Sequence, residues 1–319
     1  MKIVQKNIRS NLSHALLDIK DLEPDSYIPF DIYIKKDKNY AIIIEVGTLL
    51  TPKIYTLLCN QKALYILKGL DGQQKLNCQN LEFYVQSNKD LYKKTMGYIY
   101  KVNSQLFAKI VDDEYSSFKI SCVESIVKNI IFLIKSKKQY LKGNIQYFAD
   151  DYKIDFHSIH VAIYAVHLGY FLNLNDNELL SLGIAGLLHD IGLLRVNKNI
   201  LEKDSELNLK ELEIVQQHPK QSVEMIAHNH IHNPYIIDAV KHHHERYDGS
   251  GYPDKLHTNE ISQLASILAI CDVFDALTNN RPHRKKYSYF EALKLMMKDP
   301  SMTNKFNHKY LQVFLKSLV

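Results

Sequence analysis

Several things are scarce in this chain of 319 residues, and each absence excludes a class of protein. Four cysteines, Cys59, Cys78, Cys122 and Cys271, are widely spaced and form no CxxC pair. That excludes a disulfide scaffold and a cysteine-type zinc module, and the expectation is four reduced, buried thiols packed as small apolar residues. Apolar runs such as Ala41 to Ile44 and Ile130 to Ile134 fall far short of the ~20 residues of a membrane span. The N-terminus lacks an apolar core of signal-peptide length. These absences read as a cytoplasmic chain without a membrane span. Like charges do not run together either. Residues 1–120 hold 17 Lys and Arg against 13 Asp and Glu, and the remainder holds 23 against 22. Without a basic stripe interleaved with aromatics, polymeric nucleic acid is not the expected partner. Histidine is nearly missing from the first half: His14 stands alone, and the other fourteen lie between His157 and His308. Any metal or proton chemistry therefore belongs to the second half.

What is present predicts an α+β chain of two domains. Residues 1–120 read as a small mixed α/β domain, regulatory or interacting in role. Strands are expected at Asp31 to Ile34, Tyr40 to Val46, Ala63 to Leu67 and Leu81 to Val85, a helix at Thr51 to Gln61, and a turn at Gly69 to Gly72. No phosphate-cradling glycine loop, triad spacing or repeat occurs there. Val123, Ile126, Val127, Ile130 and Ile134 keep helical spacing, so residues 121–150 read as a linker helix ending in a polar break, with dimerisation left open. Residues 151–319 read as an all-α bundle. Its helices are expected at Phe156 to Leu172, from a cap at Asn175 or Asp176 to Ile191, from Asn208 toward Gln217, at Lys220 to Ala227 after a break at His218-Pro219, from Asn233-Pro234 through His244, and at Ile261 to Thr278, Ser288 to Met297 and Tyr310 to Leu318.

The bundle gathers ligand-type residues. His189 and Asp190 close an apolar run at Leu187-Leu188-His189-Asp190-Ile191-Gly192. His157 opens a helix, His218 sits at a break, and His242, His243 and His244 precede the loop Asp248-Gly249-Ser250-Gly251-Tyr252-Pro253. Asp272 lies in an almost wholly apolar helix, where an unpartnered carboxylate is costly. Helical bundles build metal sites from such inward-facing side chains. Mixed imidazole and carboxylate donors suit first-row metals rather than calcium or magnesium.

Three runs carry a resemblance. His189-Asp190-Ile191-Gly192, then His243-His244-Glu245 with the Asp248–Pro253 loop, then Asp272-Val273-Phe274-Asp275-Ala276-Leu277-Thr278 followed by Arg281-Pro282, resemble the HD-GYP branch of the HD-domain metal phosphohydrolases. That family hydrolyses the bacterial second messenger cyclic di-GMP. The resemblance covers about residues 152–319. It implies metal ligands at His157, His189, Asp190, His218, His243, His244 and Asp272. Asp190 would bridge two divalent ions, iron or manganese, with His157, His189 and Asp272 on one and His218, His243 and His244 on the other. Two such ions ~3.5–4 Å apart can hold a hydroxide that attacks phosphorus in line. The resemblance thus implies that catalysis would depend on Asp190 and His189, with a linear dinucleotide or GMP as product. Tyr252, Arg281 and Arg284 would meet phosphate oxygens. Glu245, Asp248 and Asp275 would orient imidazoles or brace the loop.

The sequence departs from the family at four places. Leu193 stands where the family usually has Lys, His283 where it has Tyr, and Ser222 where it has Gly. Lys153 occupies the position of a third-metal Glu, so the resemblance implies two metals. The loss of the Lys keeps a second reading open: a catalytically weak protein that binds cyclic di-GMP or a protein partner and signals through its N-terminal domain. The remaining histidines read more plainly. His160 is expected to be a satisfied core or surface histidine, His167 structural, His242 turned away from its neighbours, and His228, His230, His232, His257 and His308 at the surface, with Tyr247 exposed.

Overall fold

A computed structural model describes residues 7–8, 14–22, 28, 31–37, 39–44, 48, 50–67, 78, 81–87, 92–112, 119–136, 153–203, 205–279 and 286–318. The chain divides into two units, residues 1–105 and 106–319.

The first unit holds β1 (Asn7–Ile8), β2 (His14–Leu17), β3 (Ile32–Lys36), β4 (Asn39–Ile44), α1 (Pro52–Cys59), β5 (Leu64–Leu67) and α2 (Leu81–Ser87). A longer helix, α3 (Tyr92–Asp112), follows. The strands form one antiparallel sheet in the order β1-β4-β3-β5-β2. Asp37 takes φ +52° in the tight turn that pairs Lys36 with Asn39, the left-handed conformation such hairpins need. Ile32, Ile44 and Leu64 bury one set of strand side chains with Leu22, Ile28, Leu50 and Leu58. The expected strand over Leu81 to Val85 is instead the first turns of α2. Leu81 and Val85 are both buried, and residues four apart share a face in a helix as well as in a strand, so the pattern could not tell the two apart. The predicted turn at Gly69 to Gly72 and the polar break at Lys142 to Asp151 lie outside the described residues.

The second unit is helical: α4 (Ile120–Ser136), α5 (Ile154–Phe171), α6 (Asp176–Leu188), α7 (Lys198–Leu201), α8 (Leu209–Val215), α9 (His218–His228), α10 (Pro234–His242), α11 (Gln263–Thr278), α12 (Tyr289–Lys298) and α13 (His308–Leu318). Its centre is the antiparallel pair α5 and α6. Both are apolar on every side and bury nearly their whole length. They approach so closely that a Cβ on Gly186 would lie 2.7 Å from the Ala162 Cα. One stretch, 176–195, is long and apolar enough to cross a membrane by length and composition, and it is this buried core helix with the turn after it. The helix foreseen as a linker, α4, packs its apolar face on α5 and α6.

Local signals set the helix ends. Asn175 with Glu178, and Asn208 with Glu211, form reciprocal capping boxes at the starts of α6 and α8. Ser262 caps α11 and Asn233 caps α10. Two expectations need correction. α6 stops at Leu188, not Ile191, and a 3-10 turn over Ile191–Arg195 follows. His218-Pro219 is not a break but the first turn of α9, where the missing proline N–H has no helical partner to lose.

Candidate metal centre

Two helix hairpins open toward each other. In the first, the short turn after α5 brings the start of α5 beside the end of α6, so His157 meets His189. In the second, α9 runs away from the site and α10 returns to it, so His218 at the head of α9 meets His243 and His244 just past the end of α10. The α11 helix crosses beside them, with Asp272 and Asp275 on one face at a three-residue interval.

Asp190 lies between the hairpins. Its Oδ2 is 3.4 Å from His157 Nε2 and 3.3 Å from His189 Nε2, while its Oδ1 is 3.1 Å from His218 Nε2 and 3.6 Å from His243 Nε2. Asp272 Oδ1 is 3.3 Å from His157 Nε2, and Asp272 Oδ2 is 3.8 Å from His244 Nδ1. All seven ligand candidates converge, in two groups of donor atoms: His157, His189 and Asp272; and Asp190, His218, His243 and His244. All but His244 are buried, and it is half-buried.

The far side of each ring fixes its tautomer. The Nδ1 of His189, His218 and His243 lies 2.8, 2.7 and 2.7 Å from the backbone carbonyls of Gly186, Val215 and Val240. A carbonyl only accepts, so each Nδ1 carries the proton and each Nε2 turns its lone pair inward. His157 reaches the same state through Asp275, whose Oδ2 is 2.7 Å from His157 Nδ1. Such outer partners orient and strengthen metal-ligating imidazoles. Asp275 also lies 3.1 Å from His160 Nδ1 and accepts from Asn279, which makes His160 a core residue rather than a surface one.

Protonation follows burial and the facing charges: burial pushes His218 down, but Asp190 outweighs it and raises it above its ordinary value. Burial pushes the Asp190 carboxyl up, but His189, His157 and His218 outweigh it and hold it well below the ordinary carboxylate range. Asp272 is also held low, against its burial, by His157 and His244. Burial pushes His243 down to about 4, and burial with the neighbouring His243 keeps His244 well below the ordinary histidine range. Two carboxylates and a set of inward lone pairs, with no ammonium or guanidinium among the converging atoms, fit divalent cations.

The loop after α10 is braced from within. Glu245 is buried and accepts from the Asp254 and Leu256 amides at 2.6 and 3.0 Å. Asp248 accepts from the Ser250 amide and hydroxyl. The Tyr252 ring stacks on His244 at 4.7 Å, beside the centre, and burial near Asp190 and Asp272 pushes its phenol up. Arg281 and Arg284, the other substrate contacts foreseen, lie outside the described residues, as does His283.

Other expectations divide. His228, His230, His232, His257 and His308 are exposed, as read. Tyr247 is not exposed: it is half-buried, its hydroxyl 3.2 Å from Ser266 Oγ and accepting from Asn307 at 2.9 Å. Cys122 and Cys271 are buried, whereas Cys59 is exposed and Cys78 intermediate, so the packed-thiol reading holds for two of the four. Two residues have roles the sequence did not announce. Ser222 accepts from the Gly192 amide at 2.8 Å and donates to the His189 carbonyl at 2.7 Å. His242 reaches both Asp238 and Asp254, and its spacing to Asp238, one helical turn, was the only signal available.

Comparison with known proteins shows what the chain is similar to. The HD domain family matches residues 128–302, more than half of the chain. A cyclic di-GMP phosphodiesterase of Pseudomonas aeruginosa is 36% identical over 162 residues, 51% of this chain and 38% of that protein. A 3'3'-cGAMP-specific phosphodiesterase of Vibrio cholerae is 37% identical over 148 residues, 46% of this chain and 33% of that protein. The chain thus spans little more than a third of the length of these relatives. The cyclic di-GMP phosphodiesterase PdeB of Borreliella burgdorferi is 25% identical over 310 residues, 89% of this chain and 76% of that protein. In fold, the chain is similar to the solved structure of an HDG"Y"P protein from Bdellovibrio bacteriovorus, with a TM-score of 0.61 at 17% identity, over 95% of this chain and 99% of that one.

Proposed function

The chain belongs to the HD domain family, and from that premise we propose that it is a metal-dependent phosphodiesterase that opens cyclic di-GMP to a linear dinucleotide or GMP. The observation that carries the reading is the division of the Asp190 carboxylate, one oxygen toward His157 and His189, the other toward His218 and His243. A carboxylate so placed suits a bridge between two divalent ions, iron or manganese, with His157, His189 and Asp272 on one and His218, His243 and His244 on the other. When bound, the ions supply Lewis-acid charge and an acidified water. The protein's part is to hold the imidazoles and ionised carboxylates in place before substrate arrives. Tyr252 supplies a phenol beside the centre, kept protonated by burial and able to donate to a phosphate oxygen. Arg281 and Arg284 are assigned to the phosphates by resemblance, as forked donors. Residues 1–120 lie outside the resemblance; their regulatory or interaction role rests on their small mixed α/β character alone.

The similar relatives are named for two cyclic dinucleotides, which supports the phosphodiester chemistry more strongly than the choice of base. The test is turnover of cyclic di-GMP, with 3'3'-cGAMP alongside, on protein whose metal content is measured in the same sample. The expected result is about two metal ions per chain, linear product from cyclic di-GMP, and none after His189→Ala or Asp190→Ala. Tight binding without turnover under every metal condition would replace the enzyme with a binding protein.

A further inference from the structure

His242 is the one histidine of the triplet that the metal centre does not use. We propose that it is a positioning residue for Tyr252, acting through Asp254. Adjacent helical residues point ~100° apart, so the side chain preceding two ligands faces elsewhere. It is buried, with Nδ1 2.8 Å from Asp238 Oδ1 one turn back and Nε2 3.0 Å from Asp254 Oδ2. Both ring nitrogens are therefore engaged, which leaves none for a metal. Asp254 is two residues beyond Tyr252. Its amide is already tied to Glu245 at 2.6 Å, so His242 adds a side-chain tie to a backbone tie at the same residue. Lys241 Nζ holds the same carboxylate from outside, at 2.5 Å. At the loop's other anchor the Tyr252 amide donates to the His244 carbonyl at 3.3 Å, and the Tyr252 ring stacks on His244. The tyrosine is thereby held between its own backbone anchor just past α10 and the Asp254 clamp.

For its kinetic readout the inference rests on the phosphodiesterase reading. The test uses two substitutions that each delete one of the two bonds. His242→Asn places an amide where Nδ1 was, keeping Asp238 and losing Asp254. His242→Gln reaches the Nε2 position, keeping Asp254 and losing Asp238. The Asn variant is expected to raise KM for cyclic di-GMP about five-fold with kcat and metal content unchanged, and the Gln variant to stay within about two-fold of the parent. In a Lys241→Met background the Asn effect grows, because the remaining side-chain tie to Asp254 is gone. Amide hydrogen exchange over residues 249–254, measured without substrate, should quicken in the Asn variant and not in the Gln variant. Equal changes in both variants, or undisturbed exchange in His242→Asn, overturn the proposal. A protein that never turns over cyclic di-GMP refutes the substrate, while the exchange comparison still decides the clamp.

Discussion

The carbonyl oxygen of His218 stands 2.2 Å from where a Cβ on Gly192 would be, and the Ser222 amide stands 2.7 Å from it. The turn after His189 and Asp190 is therefore pressed directly on the first turn of α9. Two ligand-bearing segments from distant parts of the chain meet there backbone to backbone. Gly192→Ala should cost about 1–3 kcal/mol or more, because both obstructing atoms belong to the main chain of α9. Denaturant unfolding, with metal content on the same samples, checks this. Metal lost along with stability is the expected result.

Ser222 completes that contact, accepting from Gly192 and donating to the His189 carbonyl. Replacing it with glycine should be harmful here. Ser222→Gly leaves a buried amide without its acceptor, at a cost of about 1–3 kcal/mol. An unfolding midpoint equal to the parent's would show that the turn re-forms without the hydroxyl.

Asp275 accepts from His157 Nδ1 and stands beside His160, and burial is outweighed so that its carboxyl is held at about 2. Asp275→Asn offers one acceptor and one donor where two acceptors stood. Metal affinity should fall about 10- to 100-fold with circular dichroism unchanged, as read by chelator competition.

His167 lies further along α5 from His157 and is buried, which pushes it down to about 4 from 6.5, partly opposed by a backbone hydrogen bond to Ser317. Its folded value lies below its unfolded one, so the unfolded chain binds the extra proton. The stability it permits is present above about pH 6.5 and drains away as pH falls toward about 4. The full difference is about 3 kcal/mol. His167→Gln should flatten that part of the slope in unfolding measured at pH 7 and pH 4.5. An unchanged slope would assign the acid sensitivity to other groups.

Leu193 is half-buried in the turn just beyond Asp190, its amide donating to the Asp190 carbonyl at 2.9 Å. On the proposed function, an apolar residue there withholds a positive charge from a phosphate-binding site. Leu193→Lys should raise kcat on cyclic di-GMP several-fold without altering metal content. Steady-state kinetics with metal analysis decide it.

The sequence by itself determined the helical half and named the candidate ligands that the fold brings together. The cap at Asn175 and the apolar run that follows it are local signals, and local physics places the helix there, though not its last turn. The same locality failed at Leu81 and Val85, where one spacing serves both helix and strand. It also failed at Tyr247, whose hydroxyl partners, Ser266 and Asn307, lie far along the chain. The resemblance supplied the division of ligands between two metals, and residue types alone did not. Only the tertiary structure decided which oxygen of Asp190 faces which hairpin, which nitrogen of each histidine keeps its proton, and that Ser222 and His242 support the site. Those properties depend on carbonyls and carboxylates brought together by helix packing, and no periodicity along the chain encodes that packing directly.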